Sequence, residues 1–160
     1  MKAASLHELK CALKTIPPAQ LLDVCLHLAK YKKENKELLS YLLFEADNEA
    51  AYILSVKDLI NSQLEDVNIS NLYFAKKTIR KILRTASKYI KYSGSRQTEA
   101  ELLLFFCKKL KNSDMPLHTS LTINNLYQRQ IQKIEKALAT MHEDLQYDYR
   151  EELKPLMQFE

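Results

Sequence analysis

The sequence predicts an all-α fold of six to eight antiparallel helices, arranged as an irregular α-α superhelix or bundle. Three observations predict it. Turn formers are scarce, with one Gly and four Pro in 160 residues, whereas sheets need Gly-rich turns and nucleotide-binding βα folds need Gly where backbone meets phosphate. Lys, Leu, Glu and Ala, all good helix formers, are abundant. Apolar residues recur in steps of three and four along most of the chain. An apolar content of 46% suffices for a core, and the length suits a single domain, 1–160, with a short-helix part (1–66) and a longer-helix part (67–160).

The first helix is expected from about Leu6 to Lys14, because Ser5 and Glu8 have the spacing of a capping box. Pro17 and Pro18 end it, and Pro is tolerated in a first helical turn, so a second helix runs from about Pro18 to Lys32. The polar run Lys32-Lys33-Glu34-Asn35 reads as a turn before a third helix, about Lys36 to Glu45. Asp47 or Asn48 can cap a fourth, about Glu49 to Leu64.

The fifth helix, capped by Asn68 or Ser70, has apolar residues at Leu72, Ala75, Ile79, Ile82, Leu83, Ala86 and Ile90, and stops at Ser93-Gly94-Ser95. Gly94, the single glycine, suits a left-handed C-terminal cap. A sixth helix, about Thr98 to Lys111, is apolar almost throughout and ends in Lys108, Lys109 and Lys111, where a helix dipole is negative. After a loop from Asn112 to Thr119, a long helix is expected from Ser120 to Met141 or beyond, with a final helix or extension over Leu145 to Leu156. The stripe Tyr127, Ile131, Ile134, Leu138, Met141, Leu145 has heptad-like steps. It fits an intramolecular seam better than a dimer seam, since other apolar helices need covering.

Charge is unevenly distributed. The formal net charge is +4, yet residues 76–111 hold eleven Lys/Arg against two Glu, while the rest carries 13 basic and 18 acidic residues. No Asp or Glu occurs between Val67 and Thr98. Lys77, Arg80, Lys81, Arg84, Lys88 and Lys91 fall opposite the apolar stripe of the fifth helix, forming a candidate surface for an anion or a partner. Phosphates would reward such a row through counterion release, and Tyr73, Tyr89 and Tyr92 could stack on bases. Base-reading Asn or Gln and the tight turn of a helix-turn-helix are absent. A solvated face, a protein contact, an anionic membrane surface and coverage by acidic helices such as those bearing Asp58 and Glu65 remain alternatives.

Catalytic patterns are missing. There is no nucleophile elbow, Gly-rich phosphate loop or Glu-x-x-His pair. His7 and Cys11 are four apart, as metal ligands on one helical face can be, but the simpler expectation buries Cys11 and Cys25 in a hairpin. His118 stands alone in a loop. Three cysteines without a C-x-x-C pair, and the lack of an apparent leader, suggest a reducing cytoplasm. No run of apolar residues is long enough to span a membrane.

The order of segments carries a resemblance. Leu6-His7-Glu8-Leu9, Gln20-Leu21-Leu22 and Asn35-Lys36-Glu37 leading to Tyr41-Leu42 are followed by Lys76-Lys77-Thr78-Ile79 and by Glu99-Ala100-Glu101-Leu102-Leu103-Leu104-Phe105-Phe106. Together these segments resemble a bacterial family of small helical proteins of unknown function. The resemblance implies an all-α fold and brings no activity or site residues. The expected function is a non-enzymatic interaction or scaffold module for a protein partner, without metal or cofactor. The alternatives are a nucleic-acid-binding protein using the basic helix face and an enzyme without local signature.

Overall fold

The computed structural model describes residues 2–117 and 119–158. Among the described residues there are eight α-helices, one π-helical turn and no strand, so the fold is all-α. Contacts divide the chain into two compact units, Met1–Phe44 and Glu45–Glu160.

In the first unit, α1 (Leu6–Thr15) starts at the expected capping box. Ser5 Oγ accepts from the Glu8 amide, and the Ser5 amide donates to the Glu8 carboxylate at 2.7 Å. The bond from the Ser5 amide, and to a lesser extent one from the Ser5 hydroxyl at 2.7 Å, hold the Glu8 carboxyl below its usual range. Helix α2 (Pro18–Tyr31) opens with Pro at its first position. The expected four-residue turn is absent: α3 (Lys33–Ser40) follows after Lys32 alone. Lys32 is extended and ends one helix while starting the next. Asn35 then donates to the Leu28 carbonyl at 2.8 Å, satisfying an orphan acceptor near the end of α2. The polar run is thus the first turn of α3. The expected continuation to Glu45 changes form, because Tyr41–Glu45 widens into a π-helical turn.

The second unit contains α4 (Glu49–Glu65), α5 (Leu72–Ser93), α6 (Arg96–Lys111), α7 (Leu121–Leu138) and α8 (Glu143–Met157). Helix α6 lies at its centre and packs against α4, α5, α7 and α8. Its apolar character predicts this, since a helix hydrophobic on most sides must be covered on most sides. Leu102, Leu103, Leu104, Phe106, Cys107 and Leu110 are buried. Burial pushes the Cys107 thiol up to about 12, leaving it an inert packing group.

Asn48 caps α4 by accepting from the Ala51 amide. The cap of α5 is Asn71, rather than Asn68 or Ser70: Asn71 Oδ1 accepts from the amides of Tyr73 and Phe74. Asn68 instead accepts from the Ser70 amide in a local turn. Gly94 is left-handed at φ 67°, and its amide donates to the Ile90 carbonyl at 2.9 Å. Around that corner the Glu49 carboxylate accepts from the hydroxyls of Ser93 and Thr98, joining the start of α4 to the α5–α6 connection.

Helix α7 ends at Leu138 instead of continuing through Met141. The Met141 amide turns back to the Leu138 carbonyl, and His142 caps α8 through a contact with the Asp144 amide. The heptad-like stripe therefore breaks. Tyr127, Ile131, Ile134 and Leu138 are buried within the unit, as an intramolecular seam requires, while Leu145 belongs to α8 and is exposed. Tyr127 donates its hydroxyl to the Leu156 carbonyl at 2.9 Å, linking α7 to α8.

Candidate functional site

Helix α5 has two faces of opposite character. Ala75, Ile79, Ile82, Leu83 and Ala86 are buried in the bundle. Lys77, Arg80, Lys81, Arg84 and Lys91 are exposed, and Lys88 is half-buried. At 100° per residue, all six basic residues fall within an arc of about 100° centred opposite the buried stripe. Among the described residues, Lys77, Arg80, Lys81, Arg84 and Lys91 have no carboxylate within 4.0 Å. Lys88 lies over the Tyr89 ring, 4.7 Å from its centroid. Neither Asp58 nor Glu65 pairs with this row; the Glu65 carboxylate accepts from Asn61 on its own helix at 2.6 Å.

The tyrosines expected to supply stacking divide into two kinds. Tyr89 and Tyr92 are half-buried and pack edge to face at 5.8 Å, and Tyr89 also meets Tyr52 at 6.3 Å. They form part of the packing of α4 on α5. Tyr73 is 71% exposed, in line with Lys77 and Arg84. Beside it stands Phe74, 52% exposed, with the two rings 5.5 Å apart and edge to face. Phe74 was not among the expected site residues, because its position in an apolar-looking helix start suggests core. Its exposure follows from its place on α5, about 60° around the helix from Lys77 and away from the buried stripe.

The second basic cluster is occupied internally. Lys108 pairs with Glu152 at 2.6 Å, and Lys111 donates to the carbonyls of Pro155 and Gln158 at the end of α8. Cations at a helix C-terminus satisfy free carbonyls and oppose the dipole. Lys109 sits over the Phe105 ring at 5.5 Å.

A polar cluster lies nearby, at a cleft of about 260 Å³ lined by Lys57, Glu101, Leu104, Phe105, Lys108, Tyr149 and Glu152. Glu101 accepts from Tyr149 at 2.7 Å, from Gln97 at 3.2 Å and from Lys57 at 3.1 Å. Burial alone would raise its carboxyl, but the hydrogen bonds from Tyr149, Lys57 and Gln97 and the Lys57 charge together bring it below the usual carboxylate range. Burial and the bonded carboxylate push the Tyr149 phenol above its usual value. Neither group moves toward neutrality, where an acid–base catalyst works best. The cluster ties α4, α6 and α8 together.

In the first unit the side chains are arranged differently. No residue of α1, α2 or α3 is buried. Leu6, Leu22 and Leu28 are 86%, 59% and 54% exposed. Cys25, Leu28, Ala29, Leu38, Leu39 and Leu42, with Asn35, line an apolar groove of about 260 Å³ along α2 and α3. Lys30, Lys32, Lys33 and Lys36 are exposed around the α2–α3 connection.

Cys11 is exposed and Cys25 half-buried, so neither takes the expected place in a hairpin core. Cys11 Sγ approaches His7 Nε2 at 3.7 Å. Among the described residues, no three His, Cys, Asp or Glu side chains converge in a way that could hold a metal ion; His118 lies outside the described residues. No helix of the described residues is long and apolar enough to cross a membrane. Comparison with protein-family models, curated proteins and solved structures gives no match.

Proposed function

We propose that this chain is a non-enzymatic protein-interaction module whose docking element is the leucine-rich set α1–α3. One observation carries the reading: these three helices contain many leucines and bury no side chain. A few dozen residues without a buried core cannot offset the entropy of ordering the chain. A partner that covers the leucines supplies what is missing.

The partner is an amphipathic helix with an acidic polar face. The α2–α3 groove is apolar along its length, which suits a helix laid into it through residues spaced three and four apart. Lys30, Lys32 and Lys36, exposed around the α2–α3 connection, favour acids on the partner's polar face, whereas Lys33 is paired with Glu37 at 3.7 Å. Three free thiols suit a reducing cytoplasm as the setting.

Fluorescence polarisation tests the reading with the full chain and a labelled synthetic helix bearing Leu at heptad a and d positions and Glu elsewhere. Binding is expected, with loss of at least about tenfold in affinity on Leu28→Glu with Leu39→Glu, since an apolar contact becomes a buried charge. No binding, or equal binding to a scrambled peptide of the same composition, overturns it.

A further inference from the structure

We propose that the exposed face of α5 is a second, independent site that binds single-stranded nucleic acid without sequence preference. Tyr73 and Phe74 form its stacking platform, and Lys77, Arg80, Lys81, Arg84 and Lys91 form its phosphate track.

The occupant follows from what the face offers and lacks. Lys77, Arg80, Lys81, Arg84 and Lys91 are exposed and have no carboxylate partner among the described residues. From Tyr73 to Lys91 the row covers about 27 Å of helix at 1.5 Å per residue, which matches an extended polyanion better than a single phosphate. At its N-terminal end two exposed aromatic rings meet edge to face at 5.5 Å. Aromatic faces gain from unstacked bases, which a single strand presents and an intact duplex hides. No Asn or Gln occurs from Leu72 to Ser93, so the side chains that read adenine edges are missing, and a row of cations on phosphates with rings on base faces carries little sequence preference.

Membrane binding fits less well. An amphipathic helix inserts its apolar stripe between lipids, but Ala75, Ile79, Ile82, Leu83 and Ala86 are already buried in the bundle. Only the first turn of α5 could reach acyl chains.

The test is fluorescence anisotropy with the full chain, a labelled oligo-dT, a duplex of equal length and phosphatidylserine vesicles, across a salt series. The oligo-dT is expected to bind more tightly than the duplex. Its log K should fall against log salt with a slope of about −3.5 if all five cations engage phosphates. Tyr73→Ala with Phe74→Ala should weaken single-strand binding by roughly five- to a hundredfold and leave the duplex nearly unchanged. Lys77→Glu, Lys81→Glu and Arg84→Glu together should abolish both, with the milder Gln versions reducing the salt slope; circular dichroism verifies folding. Absence of oligo-dT binding at low salt, tighter duplex binding, binding to vesicles alone, or affinity insensitive to the Tyr73 and Phe74 changes each overturns the proposal.

Discussion

At the scale of single residues, the best-defined chemistry is structural. Glu101 draws hydrogen bonds from Lys57, Gln97 and Tyr149, and these hold its carboxyl below the usual carboxylate range in the folded chain. A depressed folded value favours the folded state above the unfolded value, and that contribution is lost as pH falls through the folded one. Thermal denaturation of the parent should therefore move to lower temperature between about pH 5 and pH 3, and Glu101→Gln should flatten that part of the profile. An unchanged acid limb would contradict the assignment. None of this cluster is legible in sequence, because Glu101 and Tyr149 are 48 residues apart and helical periodicity carries no information on partners so distant. Local chemistry is legible: Ser5 with Glu8 and Gly94 both do what their spacing predicts. Asn71 escaped notice because Asn68 and Ser70 offer competing polar side chains within three residues, and only the local turn decides among them.

At the scale of helices, the contrast is between α6 and α2. Helix α6 is covered by four neighbours, with Phe106 fully buried. Helix α2 has no buried residue. Phe106→Ala should therefore destabilise the second unit by about 3–5 kcal/mol, whereas Leu22→Ala should change its stability by less than about 0.5 kcal/mol. Urea titration followed by circular dichroism separates the two. Apolar content alone does not distinguish these helices, since both look core-forming in sequence; the difference lies in how many neighbours the topology provides. The basic face of α5 was readable from its 3.6-residue period. That Lys77, Arg80, Lys81, Arg84 and Lys91 have no carboxylate partner among the described residues was not, since Asp58 and Glu65 were equally available by sequence. Helix α8 shows a related point: with only Leu153 and Leu156 buried, its attachment depends on Tyr127, Lys108 and Lys111 from other helices.

At the scale of the whole molecule, a bundle organised around α6 and a leucine-rich set α1–α3 with no buried residue make different demands on solvent. The all-α class followed from composition and period, both properties of short windows. The π-helical turn at Tyr41–Glu45 and the division after Phe44 did not, because they depend on which windows pack together. The account stands on α1–α3 being an apolar docking element awaiting a helix. Amide hydrogen exchange on the full chain, alone and with the acidic leucine-striped helix, tests this most directly. Alone, α1–α3 should exchange much faster than α6, and the added helix should slow α1–α3 while leaving α6 unchanged. Equal protection of α1–α3 and α6 in the free chain, or exchange of α1–α3 indifferent to the added helix, would contradict it.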